Sequence, residues 1–176
     1  TLDPITSNEM ISLRLTELIF NGLVGINEKQ EIVPELAEKW EISPDGRTYT
    51  FHLRKGVTWH AREGEEAKPF TADDVIFTHK IMMHPKTITP LKVRYEFIEK
   101  AEKTEDYTVQ FVLKRPILNA LAKFSFKIIP RHGPSNPLYL TREDSFVQNP
   151  IGTGPYQLKN VTADREIILT ANENYF

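Results

Sequence analysis

The chain has 176 residues, with 22 Lys and Arg against 24 Asp and Glu, no cysteine, and a formal charge of -2 at neutral pH. This balance excludes a basic surface for nucleic acid or anionic lipid, and the absence of thiols excludes a disulfide framework, thiolate zinc sites and a cysteine nucleophile. With 40% hydrophobic and 26% charged residues, the composition is that of one ordinary globular domain or two small ones, and no run reaches the ~18 apolar residues of a membrane-spanning helix.

Residues 8–22 predict the first helix. Ser7 or Asn8 is a suitable N-cap, and Gly22 is a suitable stop. Four apolar side chains at helical spacing are expected on its buried face: Ile11, Leu15, Leu18 and Ile19.

A short strand over 23–26 and a short helix over 34–40, with proline at its first position, are predicted next. Residues 40–42 and 49–53 then flank a Pro-Asp-Gly turn over 43–47, which predicts a hairpin. Alternation along its second strand places three side chains on the buried face: Tyr49, Phe51 and Leu53.

A strand over 57–60 and a charged, mobile loop over 61–69 lead to the second long helix, which begins with Thr71 as its cap and ends at Pro85. Trp59 is expected in the core rather than on a ligand-stacking surface. The stripe predicted to be buried on this helix contains Val75, Ile76, His79, Met82 and Met83.

The remaining chain predicts a loop with a possible helical turn over 85–95 and a second hairpin of 97–103 with 108–113. A helix over 116–123 and an apolar strand over 124–129 follow, and a proline-rich crossing extends to Pro150. A final hairpin is expected from strands at 156–158 and 166–170. Hairpins and helices without strict strand-helix alternation indicate an α+β fold with a mixed or mostly antiparallel sheet.

No catalytic or phosphate-binding motif occurs in the sequence, so the expectation is that the protein is not an enzyme and has no cofactor. His79 and His84 lie on different faces of a helix, which disfavours a helix-borne metal pair, and no metal site is expected. The acidic residues Glu65, Glu66, Asp73 and Asp74 are explained by a solvated loop and by a helix start.

Five segments occur in the order and spacing of a known family: PELAEKWE at 34–41, SPDGRTYTFHLRKGV at 43–57, FTADDV at 70–75, NPIGTGPY at 149–156 and NENYF at 172–176. Together they resemble the family 5 extracellular solute-binding proteins, the receptors of oligopeptide, dipeptide and nickel ABC importers. The resemblance extends from Leu2 to Phe176. It implies the N-terminal part of a type II (class C) periplasmic-binding-protein fold.

The resemblance also implies a domain organisation. Residues 1–25 and 150–176 would belong to the lobe that flanks the ligand, residues 26–149 would form an inserted variable subdomain, and a second lobe would follow residue 176. Because a single lobe leaves most of a ligand in water, the chain alone is expected to bind weakly or not at all. The segment 61–68 replaces a shorter turn of the family and has no assigned role.

In peptide receptors of the family, the loop before the first helix lies against the peptide backbone. A gapless match implies ligand contacts at Asn8, Glu9 and Met10, with Ser7 beside them. Helix capping by Ser7 and Asn8 is an equally good interpretation, and both roles are compatible because pairing with a peptide uses main-chain groups.

The function implied is capture of a peptide outside the cytoplasmic membrane, in the periplasm or at the cell surface, and its delivery to an ABC permease. A monomer is expected, and membrane attachment only through a lipid anchor upstream of Thr1. Two alternatives stay open: a receptor for nickel or another metal chelate, and an interaction module without a small ligand.

Overall fold

The computed structural model describes residues 2–62, 64–162 and 166–176. Its helices are Met10–Ile19 (α1), Ala72–Met83 (α2), Leu91–Tyr95 (α3) and Ser145–Gln148 (α4), with a 3-10 helix at Ala120–Ser125. Its strands are Val24–Ile26 (β1), Ile32–Pro34 (β2), Ala37–Ile42 (β3), Thr48–Leu53 (β4), Ile98–Glu105 (β5), Thr108–Leu113 (β6), Tyr156–Val161 (β7) and Ile167–Ala171 (β8). The expected α+β fold is confirmed.

The central sheet has four antiparallel strands in the order β3-β4-β6-β5. Both predicted hairpins are present in it: Ile42 pairs with Tyr49 across the first turn, and Ala101 pairs with Phe111 in the second hairpin. Gly46 has a φ of +68° in the first turn, a conformation that glycine adopts without a steric penalty. Two further two-stranded sheets, β1-β2 and β7-β8, occur in the described chain, and β7-β8 is the predicted final hairpin, with residues 163–165 of its connection outside the described residues.

One face of the central sheet forms the core. The alternation predicted for β4 and β6 is confirmed, because Tyr49, Phe51, Leu53, Val109, Phe111 and Leu113 are all buried. Phe124 lies over this face, with its ring centroid 4.8 Å from that of Phe51 and 5.0 Å from that of Phe111. The predicted core position of Trp59 is also confirmed.

Helix α2 begins as the sequence predicts, with Thr71 at its N-cap and the Thr71 N–H donating to the Asp74 carboxylate at 3.0 Å, and it ends at Met83, before Pro85. Its buried face differs from the predicted stripe. Val75 and Met82 are buried, but Ile76, His79 and Met83 are only half-buried. Other positions complete the buried face: Ala72, Asp74, Thr78 and Ile81.

The helix predicted over 34–40 is wrong. Residues Ala37–Ile42 form β3, which pairs with β4 along its whole length, with one bulge between Ala37 and Lys39. Pairing with an already apolar strand outweighs the local helix preference of Glu, Leu, Ala and Lys. The Pro34 that was expected to start a helix instead ends β2.

Two other predicted elements differ. Residues 116–123 are helical only from Ala120, and the strand predicted over 124–129 is absent, since Phe124 and Ser125 close the 3-10 helix. Residues 126–130 are buried and belong to no helix or strand. Their main-chain N–H groups bond to separate partners, as Ile128 N–H does to the Asn21 carbonyl at 2.9 Å. Of the strand predicted over 57–60, one isolated bridge remains, between Thr58 and Pro69.

The loop predicted over 61–69 contains Glu63, which lies outside the described residues. Its two ends are held together: Trp59 N–H donates to the Lys68 carbonyl and Phe70 N–H donates to the Val57 carbonyl, each at 2.9 Å. Within the described chain, no helix combines the length and the apolar character needed to cross a bilayer.

Candidate functional site

The segment before α1 is an ordered turn built around a buried carboxylate. Asp3 Oδ1 accepts the N–H groups of Ile5 at 2.9 Å and Thr6 at 2.7 Å, and its Oδ2 accepts the Thr6 hydroxyl at 2.7 Å. Such a short-range carboxylate network fixes the backbone without help from secondary structure. The turn therefore presents the following residues in a defined position.

Two contacts attach this turn to distant parts of the chain. Leu2 N–H donates to the Val147 carbonyl at 3.0 Å, and the Thr89 hydroxyl donates to the Ile5 carbonyl. The residues that follow are then free to face outward: Asn8 and Glu9 are exposed, and Met10 is 71% exposed, whereas Ser7 is buried. Of the four predicted contact residues, three lie at the surface side by side.

The capping interpretation of Ser7 and Asn8 is wrong. Helix α1 begins at Met10, its N-cap is Glu9, and the Glu9 side chain makes no capping hydrogen bond. Within the described chain, no hydrogen bond engages the main-chain N–H or C=O of Asn8. These groups precede the N-cap Glu9, whose backbone is extended with a φ of -88° and a ψ of 137°, so they are available to pair with another chain in the manner of a β-strand.

The buried face predicted for α1 is also wrong. Ser12, Thr16 and Ile19 face the core, and three of the predicted four apolar residues do not: Ile11 is 72% exposed, Leu18 is exposed and Leu15 is half-buried. The Thr16 hydroxyl donates to the Leu13 carbonyl at 2.8 Å, so this buried polar side chain has its hydrogen-bond partner within the helix. An apolar stripe alone could not identify this orientation.

The Asn-Pro-Ile-Gly-Thr-Gly-Pro-Tyr motif joins the end of α1 to the rest of the chain. Gly154 N–H donates to the Ile19 carbonyl at 2.8 Å, and the Thr153 hydroxyl donates to Asn21 Oδ1 at 3.1 Å. A Cβ at Gly152 or Gly154 would overlap the main chain of α1. The motif is therefore a packing element.

His60 belongs to the same packing element. Its Nδ1 accepts the Gly152 N–H at 3.2 Å, and its Nε2–H donates to the Gly154 carbonyl at 2.9 Å. Burial lowers the pKa of His60, and the bond to the Gly154 carbonyl acts in the opposite direction. The imidazole is neutral at pH 7 and is a structural bridge.

The acidic residues at the start of α2 have structural roles. Asp74 is buried and accepts the N–H groups of Thr71 and Arg131, each at 3.0 Å, as well as the Trp59 indole N–H at 3.4 Å. Burial raises the pKa of Asp74, while the hydrogen bonds from Arg131 and Thr71 oppose that rise. No group of three or more potential metal-ligating side chains occurs in ranges 2–62, 64–162 and 166–176.

Sequence reasoning missed a cavity beside the candidate loop. It has a volume of about 350 Å³ and is lined by Thr6, Lys86, Ile88, Leu140, Thr141, Arg142 and Glu143. These residues come from three segments that are far apart in sequence and lack a recognisable motif. The resemblance itself could have indicated only Thr6, through its position next to the contact residues.

Comparison with known proteins places the chain in a family. Residues 31–176 match the model of the bacterial extracellular solute-binding proteins, family 5. The chain is 38% identical to the dipeptide-binding protein of Escherichia coli K12, over 90% of this chain and 32% of that protein. It thus spans about a third of the length of this relative.

Solved structures of other binding proteins share the fold, among them NikZ and DppA. NikZ from Campylobacter jejuni, in complex with Ni(L-His), superposes with a TM-score of 0.84 at 31% identity, over 99% of this chain and 34% of NikZ. DppA from Helicobacter pylori, in complex with the peptide STSA, gives 0.83 at 29% identity, over 99% of this chain and 37% of DppA. The fold is the expected portion of a periplasmic binding protein, and the chain belongs to the family 5 bacterial extracellular solute-binding proteins.

Proposed function

We propose that this chain is part of an extracytoplasmic receptor that captures peptides and delivers them to the permease of an ABC importer. The observation that carries the proposal is the family match over residues 31–176. The name of the Escherichia coli relative and the peptide bound to the Helicobacter pylori protein favour peptides as the solute. The receptor binds and releases its ligand unchanged, so it is not an enzyme.

The peptide contacts the segment from Ser7 to Met10. The exposed side chains of Asn8, Glu9 and Met10 and the unengaged main chain of Asn8 support this assignment. A peptide backbone paired with Asn8 gains main-chain hydrogen bonds that do not depend on the peptide's sequence. Such pairing suits a receptor that accepts many peptides.

Residues 1–25 and 150–176 belong to the ligand-flanking lobe, and residues 26–149 form a subdomain inserted into it. This division is supported by the sheet topology. The four strands of the central sheet all lie between Ala37 and Leu113, and β7 and β8 form a separate sheet. A second lobe completes the site by hinge closure in the whole protein. The 176-residue chain alone therefore binds peptide weakly or not at all.

A metal-chelate receptor is the second candidate, and the likeness to NikZ bound to Ni(L-His) is the observation that favours it. In that case the chelating ligand, rather than histidines of this chain, would supply the metal's donors. The partners in either case are the permease subunits, and the receptor acts as a monomer. Attachment to the membrane, where present, is through a lipid anchor upstream of Thr1.

A thermal-shift titration tests the function. The protein at its natural length and the 176-residue chain are titrated in parallel with a tripeptide mixture and with Ni²⁺-histidine. A ligand that binds only the folded state raises the temperature of the unfolding midpoint. At a ligand concentration of 100 Kd, the free energy of unfolding increases by about 2.7 kcal/mol. We expect a shift with peptides for the natural-length protein and little or none for the 176-residue chain.

The other outcomes discriminate between the candidates. A shift with Ni²⁺-histidine alone would replace the peptide receptor by the chelate receptor. No shift with either ligand would leave a non-transport interaction module as the better description.

A further inference from the structure

The cavity beside the candidate loop is formed where three segments meet. Thr6 lies on one wall, Lys86 and Ile88 on a second, and Leu140 and Arg142 on a third. The segments are hydrogen-bonded to each other: the Thr89 hydroxyl donates to the Ile5 carbonyl, and Leu140 N–H donates to the Thr87 hydroxyl at 3.2 Å. The cavity is therefore a fixed feature, continuous with the segment that we propose as the peptide contact.

The charge of the cavity is positive. Lys86 and Arg142 are exposed, and no described carboxylate lies within 4.0 Å of either side-chain charge. Glu143 is the acidic residue among the described lining residues, which leaves one net positive charge from two cations and one acid. Lys86 is held near the wall by the ring of Tyr139, with its Nζ 5.1 Å from the ring centroid. Two cations without an ion-pair partner in the described chain, beside a shaped depression, favour an anionic ligand.

The rest of the lining is apolar. Leu140 is fully buried and forms part of the wall, whereas Ile88 is 82% exposed and lies at the rim. A volume of about 350 Å³ is at the lower end of the range for small-ligand pockets. The cavity thus fits one carboxylate together with a small apolar group, which is the chemistry of a terminal peptide residue.

We propose that this cavity binds a carboxylate of the peptide ligand through Lys86 and Arg142, while Ile88 and Leu140 contact the adjacent apolar group. The inference rests on the proposed peptide function and deepens it by naming the part of the ligand that the inserted subdomain recognises, at its contact with Thr6 of the ligand-flanking lobe. The carboxylate has two possible sources, the peptide's C-terminus and an acidic side chain. Charge-assisted hydrogen bonds to a carboxylate are the stronger kind, but the exposure of both cations reduces their effect to about tenfold in affinity.

The test is isothermal titration calorimetry on the protein at its natural length with three probes: Ala-Ala-Ala, its C-terminal amide, and Ala-Asp-Ala amide. The variant Lys86→Gln/Arg142→Gln removes both cations, and Lys80→Gln/Arg115→Gln is the matched control, because these residues are exposed and do not line the cavity. Thermal midpoints of both double variants are measured first, since exposed substitutions should leave them unchanged.

We expect the unsubstituted protein to bind the free acid about tenfold more tightly than the amide. The Lys86→Gln/Arg142→Gln variant should bind both equally, with unchanged affinity for the amide, and the control should behave as the unsubstituted protein. If Ala-Asp-Ala amide binds the unsubstituted protein as tightly as Ala-Ala-Ala does, but binds the Lys86→Gln/Arg142→Gln variant more weakly, the carboxylate comes from a side chain.

Two results overturn the proposal, and they are distinct. If peptides bind but the Lys86→Gln/Arg142→Gln variant keeps the preference for the acid, the carboxylate is bound elsewhere and the peptide function stands. If the unsubstituted protein binds none of the three probes, the peptide function itself is wrong, and this inference is wrong with it.

Discussion

His60 and Gly152 are joined by two hydrogen bonds across a sequence separation of 92 residues. The main-chain N–H of His60 donates to the Gly152 carbonyl at 2.8 Å, and the Gly152 N–H donates to His60 Nδ1 at 3.2 Å. On its other side, residue 152 lies against the main chain of Ile19, without space for a Cβ. Three distant parts of the chain thus meet at one glycine.

Gly152→Ala should lower the free energy of unfolding by roughly 3 kcal/mol, because the added methyl group would overlap the Ile19 carbonyl and force the backbone apart. Urea denaturation measures the change. Gly56→Ala is the matched control: a Cβ there meets no atom within 4 Å, and only its φ of +80° opposes alanine, at a cost of about 1 kcal/mol. Equal losses for the two variants would contradict the close packing at Gly152.

Asp74→Ala should destabilise the protein by about 3 kcal/mol. The substitution leaves three donors without their acceptor, the N–H groups of Thr71 and Arg131 and the Trp59 indole, in a buried position. Denaturant unfolding at pH 7 measures the loss. The neighbouring Asp73 is partly exposed and forms ion pairs with Lys103 at 3.1 Å and Arg131 at 3.6 Å, so Asp73→Ala should cost less than 1 kcal/mol, on the order of a surface ion pair. A comparable loss for the two variants would show that the buried network is unimportant.

His79 should make stability depend on pH. Burial lowers the pKa of its imidazole from 6.5 to about 4, and its Nε2 has no hydrogen-bond partner in the described chain. Between these two values the unfolded chain binds a proton that the folded chain does not, so stability falls as the pH drops from 6.5 to 4. The loss attributable to His79 is about 3 kcal/mol.

The variant His79→Phe tests this dependence, since Phe preserves the ring that packs edge-to-face on Phe111 at 6.1 Å. Free energies of unfolding at pH 7 and pH 4.5 are measured for both proteins. The variant should lose distinctly less stability than the parent over this interval. His60 and His132, whose pKa values are also lowered by burial, are present in both proteins and cancel in the comparison. An identical pH dependence would exclude a shifted pKa at His79.

Peptide affinity should depend on the main chain of the segment before α1 more than on its side chains. Asn8→Ala and Glu9→Ala in the natural-length protein should each change the Kd of a tripeptide by less than about threefold, because main-chain pairing does not use these side chains. Tripeptides N-methylated at a single amide should bind about tenfold more weakly when the methylated amide is the one that pairs with the main chain of the receptor. Calorimetry on both series checks this. A large loss of peptide affinity in either alanine variant, together with unchanged affinity for the N-methylated peptides, would indicate that side chains recognise the peptide instead.

Sequence patterns predicted the local elements well where one signal was unopposed. The hairpin between β3 and β4 follows from a Pro-Asp-Gly turn and an alternating strand, and the start of α2 follows from Thr71 at the cap with Asp74 three residues later. These signals act over a few residues, so they do not depend on the rest of the fold.

The errors occur where a distant partner decides the conformation. Residues 34–40 have the composition of a helix, but residues 37–42 become an edge strand because β4 offers a complementary row of main-chain groups. On α1 the buried residues are Ser12, Thr16 and Ile19, while Ile11 and Leu18 are exposed, and the main chain at Ile19 lies against Gly152 and Gly154 of the 149–156 motif. The local periodicity of these two segments carries no information about their distant partners, β4 and the 149–156 motif.

The sequence by itself determined the family, the α+β class and the buried alternation of β4 and β6, while the contact segment at Ser7 to Met10 stays a prediction from the family resemblance. Ordered motifs and short-range patterns are written in consecutive residues, which is why they can be read directly. Only the tertiary structure placed Lys86 and Arg142 beside Thr6 around one cavity. That juxtaposition depends on the hydrogen bonds that tie residues 2–6 to Thr89 and Val147, contacts between segments more than 80 residues apart that no local pattern encodes.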